Sequence, residues 1–158
     1  LEEGKFNQDS DIFDIKPFTN DVIEEIAGIL KPNQEILLKH EGNDRVCLDQ
    51  RFVKNILINL ISNASKYSND NTTIEIHSKN SENELTIKVI DHGIGIPLTE
   101  QVHLFERFFR AQNAINIQGT GLGLNIVKKY VDLMDGNITF ISKENEGTTF
   151  IVKLPFHH

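Results

Sequence analysis

The chain has 158 residues, 39% hydrophobic and 25% charged, enough to bury one sizeable core and read as a single domain. A formal charge of -7 excludes a nucleic-acid or anionic-membrane surface as the main partner, because both require a basic face. The lone Cys47 excludes a disulfide framework and a thiolate metal cage and suits a reducing cytoplasm, and no apolar run approaches the roughly 18 residues of a membrane span.

Residues 1–11 are polar, and the start, Leu1-Glu-Glu-Gly-Lys-Phe, is no signal peptide. Ile12–Ile15 alternates as a short strand. Pro17 then opens an amphipathic helix in which Val22, Ile23, Ile26, Ile29 and Leu30 share a face, and Lys31-Pro-Asn stops it. Residues 35–40 read as a strand and Glu41-Gly-Asn-Asp as a turn, and Asp49 is the N-cap expected for a long helix reaching Tyr67. Strands are expected at about 72–79 and 84–90. A glycine loop follows, then a Phe-rich helix over 99–110, and then a loose stretch over 111–118. Thr120–Met134 is a third helix, and strands at 137–143 and 148–154 flank the turn Glu144-Asn-Glu-Gly147. No repeat interrupts this order, which predicts a layer of helices on one face of a mixed, mostly antiparallel sheet.

The long helix carries the first chemical signal. Val53, Leu57, Leu60, Ile61 and Ala64 form an apolar face, while Asn55, Asn59, Ser62, Asn63 and Lys66 fall within a sector of about 100° opposite it. Asn opposes a helix by roughly half a kcal/mol relative to Ala. Three at four-residue spacing are either the solvated face of an Asn-rich chain or a row of carboxamides facing a hard cation such as magnesium. In the second case the Lys66 ammonium would meet a phosphate one turn away. Neutral oxygens suit that role, because a further carboxylate would repel the phosphates.

The second signal is Asp91-His-Gly-Ile-Gly-Ile-Pro97, a carboxylate at a strand's end followed by two glycines and a proline. A plain hairpin needs only one glycine, or Asn-Gly, and a returning strand, whereas residues 99–110 read instead as a Phe-rich helix. The third is Gly119-Thr-Gly-Leu-Gly-Leu124 ahead of the last helix. It is neither a Rossmann nor a Walker loop, since position 124 is Leu and no Gly-Lys-Ser/Thr follows. It is a glycine array feeding a helix N-terminus, where free N–H groups favour an anion, or else a glycine-rich connection with no ligand.

Taken in order, Asn59-Leu-Ile-Ser-Asn63-Ala-Ser-Lys66-Tyr67-Ser, Asp91 to Pro97, Phe105-Glu-Arg-Phe-Phe-Arg110 and Gly119 to Leu124 resemble the N, G1, F and G2 boxes of sensor histidine kinases. The resemblance covers nearly the whole chain from about residue 12. It implies the ATP-binding catalytic domain of a two-component kinase: an α/β two-layer sandwich of the Bergerat type, with about five strands in a mixed sheet, about three helices on one face and a flexible ATP lid over Leu98–Gln118. The same resemblance implies site roles. Asp91 would accept from the exocyclic amine of adenine, and Gly93, Gly95 and Ile96 would border the base. Asn63 would ligate magnesium, Asn59 and Lys66 would hold phosphate or its water shell, and Tyr67 would line the cleft. Gly119, Thr120, Gly121, Leu122 and Gly123 would meet the phosphates, and Arg110 would sense the γ-phosphate. The implied catalytic group is Asn59, Lys66 and Arg110. Phe105, Phe108 and Phe109 would dock on the domain or on a partner helix, with plain core packing expected of at least one.

Two departures shape the functional expectation. ATPases of the superfamily commonly place Glu where this chain has Asn59, and Asn cannot act as a general base. The expected reaction is therefore transfer of the γ-phosphoryl group to a histidine on a separate dimerisation domain, with a response regulator downstream and little hydrolysis. Second, no His-Glu-x-x-Asn/Thr-Pro helix is present; His40-Glu-Gly-Asn-Asp44 lies at a strand's end and reads as edge structure. The expectations are that residues 1–11 end an upstream dimerisation helix or linker, that 12–156 form the domain and that 157–158 are a tag remnant. The domain is expected to be monomeric and cytoplasmic, with any membrane anchor in the parent protein. A superfamily ATPase, an anti-sigma-type serine kinase and a non-transferring nucleotide sensor remain as alternatives. His77, His92 and His103 lack metal-ligand spacing.

Overall fold

The computed structural model describes residues 8–106 and 123–157. In chain order they form β1 (Asp11–Asp14), α1 (Ile15–Ile26), a 3-10 turn (Ala27–Ile29), β2 (Glu35–Gly42), β3 (Arg45–Leu48), α2 (Gln50–Lys66), β4 (Thr73–Ser81) and β5 (Glu84–Asp91). A 3-10 helix (Leu98–His103), α3 (Gly123–Leu133), β6 (Asn137–Lys143) and β7 (Gly147–Pro155) complete the order. The main sheet runs β2-β4-β5-β7-β6, with β2 and β4 parallel and every other pair antiparallel. The parallel pair exists because α2 lies in the connection between β2 and β4, and parallel neighbours need such a crossover. This is the mixed five-stranded sheet with helices on one face that the hydrophobic periods predict.

Strand alternation explains why one face is dry. Ile74 and Ile76 of β4, Leu85, Ile87 and Val89 of β5, and Phe150, Val152 and Leu154 of β7 are all buried, and Lys39, Lys88 and Lys153 stand on the open face. Onto the dry face α2 lays Val53, Ile56, Leu57, Leu60 and Ile61, none with measurable exposure. Burial at about 1.5–3 kcal/mol per large apolar side chain outweighs the weak helix propensity of the three asparagines on the opposite face. α1 adds Ile15, Val22 and Ile26, and α3 adds Val127 and Val131; Phe52 of α2 meets Tyr130 of α3 with ring centroids 5.0 Å apart.

The helix starts are set by carboxylates. Asp49 caps α2, its Oδ1 accepting the Arg51 N–H at 3.0 Å while Oδ2 accepts the Asp9 N–H at 2.7 Å. At α1 the cap is supplied from elsewhere: the Ile15 N–H donates to the Asp44 carbonyl at 2.8 Å and the Lys16 N–H to Asp44 Oδ1 at 2.7 Å. Pro17, in the first turn, has no N–H to satisfy.

Three expectations need correction. Ile15 begins α1 instead of ending β1. Arg45–Leu48, assigned to no element from sequence, is a strand paired antiparallel with β1 in a separate two-stranded sheet; Val46, Cys47 and Leu48 are consecutive apolar residues and show no alternation. The helix expected over 99–110 is a 3-10 helix at Leu98–His103, and its part beyond Glu106 lies outside the described residues. Leu104 is buried behind it, and Phe105 packs edge-on against Phe140 at 5.9 Å, which gives Phe105 the core role. Phe108 and Phe109 lie outside the described residues. His40 sits in edge strand β2, its ring between Ser78 Oγ at 2.7 Å and the Asn43 carbonyl at 3.2 Å.

Replacing the α2 cap should be measurable. Asp49→Ala, which removes an acceptor of two backbone donors, is expected to lower stability by about 1–2 kcal/mol in urea unfolding with an unchanged m-value.

Candidate functional site

The polar stripe of α2 is fixed by its own backbone. Asn55 Nδ2 donates to the Arg51 carbonyl at 2.9 Å and Asn59 Nδ2 to the Asn55 carbonyl at 2.7 Å. Each amide nitrogen folds back one turn, and the carboxamide oxygen is left as an acceptor. Over this stripe comes the first residue of α3: a Cβ on Gly123 would lie 3.2 Å from Asn59 Oδ1 and 3.5 Å and 3.7 Å from Asn63 Nδ2 and Oδ1. Gly123 thus shares one spot with Asn59 and Asn63. Lys66, one turn further along α2, is exposed, and Tyr67 is half-buried.

At the C-terminal end of α2 the Tyr67 carbonyl accepts the Ile94 N–H at 3.0 Å. The same oxygen stands 2.0 Å from where a Gly93 Cβ would be, so no other residue fits there without backbone movement. Gly95 has φ +68, and its missing Cβ would lie 2.1 Å from the Lys143 carbonyl oxygen. The Asn145 N–H donates to the Ile94 carbonyl at 2.7 Å and the Ile96 N–H to Ser142 Oγ at 2.8 Å. Gln101 Nε2 clamps the Ile96 carbonyl at 3.0 Å and the Ser142 carbonyl at 3.2 Å. The two glycines are therefore demanded by close approach to the protein's own main chain, at the end of α2 and at the β6–β7 turn.

Asp91 stands in the middle. It is the next inward position of β5 after Leu85, Ile87 and Val89, so its carboxylate enters the helix-covered side, and it is 7% exposed. Oδ1 accepts the Gly93 N–H at 2.9 Å and the Thr148 N–H at 3.2 Å. Among the described residues Oδ2 has no hydrogen-bond donor, which leaves one acceptor for a ligand. Burial pushes the Asp91 carboxyl above the ordinary carboxylate range, and the two backbone N–H groups only partly offset it.

Asn59, Asn63, Lys66 and Tyr67 of the predicted site share one face or end of α2, Asp91, Gly93, Gly95 and Ile96 form the adjoining loop, and Gly123 bridges to α3. Arg110, Gly119, Thr120, Gly121 and Leu122 lie outside the described residues. Sequence reading missed Thr148, Ser142 and Gly147. Ser142 Oγ lies 2.7 Å from Thr148 Oγ1, and a Cβ on Gly147, whose φ is +119, would strike the Asp91 carbonyl at 2.1 Å. The Asn-Glu-Gly turn was visible in the sequence, but nothing local ties it to Asp91. His92 is exposed, with its ring 3.8 Å from Glu75, and among the described residues no three His, Cys, Asp or Glu side chains are grouped to hold a metal. A cation here would rely on the hard, neutral carboxamide oxygens of α2, a donor set that fits magnesium.

Comparison with known proteins agrees with this geometry. Residues 48–158 match the family described as histidine kinase-, DNA gyrase B- and HSP90-like ATPase. The chain belongs to this family. It is 39% identical to sensor histidine kinase RcsC of Escherichia coli K12 over 69% of this chain and 12% of that one. It is 32% identical to sensor protein kinase WalK of Staphylococcus epidermidis over 98% of this chain and 27% of the relative. It thus spans about an eighth to a quarter of the length of these relatives. The solved catalytic domain of histidine kinase ThkA superposes with a TM-score of 0.77 at 29% identity, covering 93% of this chain and 97% of that one. The chain is an ATP-binding catalytic domain of the sensor histidine kinase type.

The raised Asp91 pKa gives a signed prediction. Between the ordinary carboxylate value and the raised folded one, the unfolded chain has lost a proton that the folded chain keeps, so stability falls as pH rises through that window. Asp91→Asn is expected to abolish this fall, checked by urea midpoints of both proteins across acidic pH. Equal pH slopes would contradict the assignment.

Proposed function

We propose that this domain binds ATP with magnesium and donates the γ-phosphoryl group to a histidine on a separate dimerisation domain, in a pathway that ends on a response regulator. The observation that carries the reading is the meeting of two unlike acceptor systems on one helix. Near its middle are neutral carboxamide oxygens of Asn59 and Asn63 under Gly123; beyond its end is the buried Asp91 carboxylate with Oδ2 unclaimed by described residues. A triphosphate repels carboxylates and is served by the first, while a purine amine seeks an anionic acceptor and is served by the second.

In this reading Asp91 selects adenine, because guanine presents a carbonyl where adenine presents an amine. Gly93, Gly95 and Ile96 border the base and Tyr67 lines the cleft. Magnesium would be held by Asn63 and would neutralise charge on the β- and γ-phosphates; Asn59 and Lys66 orient the phosphates. Arg110 and the glycine array Gly119 to Gly123 would complete the phosphate contacts. Phosphoryl transfer asks of the protein positioning and charge neutralisation more than covalent chemistry, which this set of side chains can supply. Asn59 cannot take a proton from water, so the acceptor is a nucleophile brought by another domain. Among the described residues no helix is long and apolar enough to cross a membrane. We place the domain on the cytoplasmic side, as ATP use requires.

The deciding experiment mixes the chain with a separately made histidine-containing dimerisation domain and labelled ATP. Label on the partner that is lost in acid and kept in base is expected, as for a phosphorus–nitrogen bond. Steady ATP hydrolysis at the rate of a true ATPase, with no label on histidine, would overturn the reading. Binding measurements sharpen it: Asp91→Asn is expected to lose preference for adenine over guanine nucleotides, with ATP bound about 10- to 100-fold more weakly, the range for one hydrogen bond to a charged group. Asn63→Ala is expected to bind ATP equally with and without magnesium.

A further inference from the structure

α2 ends without a glycine, and its terminal carbonyls are capped from outside. Tyr67 closes the helix at φ -96 and ψ 6, so the left-handed cap that usually satisfies the last carbonyls is absent. Instead the segment Lys31 to Gln34, which leads into β2, supplies the donors. Gln34 is 7% exposed. Its Nε2 donates to the Ser65 and Asn69 carbonyls, both at 3.1 Å, with a longer contact to the Ser68 carbonyl at 3.4 Å. Its Oε1 accepts from Ser65 Oγ at 2.6 Å and from the Lys31 N–H at 2.9 Å. The Lys31 ammonium donates to the Lys66 carbonyl at 2.8 Å and to the Ser68 carbonyl at 2.7 Å.

Of the five carbonyls from Ser65 to Asn69, these two side chains engage four. The one they leave is Tyr67, whose carbonyl accepts the Ile94 N–H and fills the space a Gly93 side chain would need. The Gly93 N–H in turn donates to Asp91 Oδ1. A single chain of contacts therefore runs from Gln34 through the end of α2 and the Tyr67 carbonyl to the loop that holds Asp91. Its links from Gln34 to the end of α2 and from Tyr67 to Ile94 both join segments far apart in sequence.

We propose that Gln34, assisted by Lys31, is a positioning residue for the base pocket. By fixing the flanking carbonyls it aims the Tyr67 carbonyl at Ile94 and so sets the height of the Gly93 to Ile96 loop against Asp91. The inference rests on the reading of Asp91 as the adenine acceptor and adds to it a residue that touches no nucleotide. Gln34 is buried enough to be mistaken for a merely structural amide, so its test needs a readout at the loop.

The test compares wild type, Gln34→Met and Lys31→Met by ATP titration and by amide hydrogen exchange at Ile94, with Ile87 in the middle of β5 as the internal control. Gln34→Met is expected to bind ATP about tenfold more weakly and to exchange the Ile94 amide about tenfold faster, with Ile87 unchanged, the scale of one lost hydrogen bond. Lys31→Met, altered at a partly exposed side chain, is expected to move both readouts in the same direction by a smaller factor, and it decides alone if Gln34→Met does not fold. In a folded variant, an unchanged ATP affinity, an unchanged Ile94 exchange rate, or equal acceleration at Ile94 and Ile87 overturns the inference. Failure of the wild type to bind ATP would instead overturn the functional reading, so the two failures are distinguishable.

Discussion

The arrangement depends on how α2 is seated on the sheet. Five of its side chains, Val53, Ile56, Leu57, Leu60 and Ile61, are wholly buried against the inward positions of β4, β5 and β7. Side-chain directions on a helix are rigidly phased, so this contact leaves no freedom for the opposite stripe. Once the apolar face is down, Asn55, Asn59 and Asn63 must face away from the sheet, and Tyr67 must arrive at the end of β5 where the glycine loop begins. The helix is thus both the main strut of the core and the ruler of the site. Any change that rolls it by one residue would rotate the carboxamides by about 100° and take them away from Gly123.

That ruler separates two electrostatic environments. The Asn59–Asn63 step and the Asn63–Tyr67 step each advance about 6 Å along the axis, so the carboxamides and Asp91 are spread along a line instead of converging on one point, an arrangement that suits an elongated ligand. The buried end accepts a carboxylate only because two backbone N–H groups, from Gly93 and Thr148, point at its Oδ1. Even so burial raises its pKa above the ordinary carboxylate value, which marks an anion kept short of full solvation. A donor from a ligand would relieve part of that deficit. The stretch near Gly123 is solvent-accessible and neutral, and suits phosphates with their counter-ion.

Much of this was legible in the sequence because it is periodic. The 3.6-residue repeat fixed the face and extent of α2, and the two-residue repeat of β5 carries straight through to Asp91, so its inward direction follows from Leu85, Ile87 and Val89. Features set by contacts between distant segments were not legible. β3 shows no polar–apolar alternation and is defined by its register with β1. The capping of α1 by Asp44, the second N–H on Asp91 from Thr148, and the clamp of Gln34 on α2 all join segments far apart in the chain. The glycine loop is instructive: its glycines were visible, but the atoms that forbid a Cβ, the Tyr67 and Lys143 carbonyls, belong to a helix end and a hairpin that no local rule connects to it.

The same geometry bears on why an asparagine serves at position 59 where hydrolysing relatives commonly use an acid. The Asn59 amide nitrogen is already committed to the Asn55 carbonyl at 2.7 Å. That bond orients the side chain, and only an amide can make it: a carboxylate there would face the Asn55 carbonyl as one acceptor against another. Asn55 and Asn59 thus form a two-step ladder, each amide folded back on the carbonyl one turn earlier, and Glu at position 59 would disturb its rung as well as add a base. The α2 stripe of Asn55, Asn59 and Asn63 is therefore uncharged, with its first two amides held to the helix backbone. Under the proposed function Asn59 supplies no base to activate water, and the chemistry would wait for a nucleophile from outside.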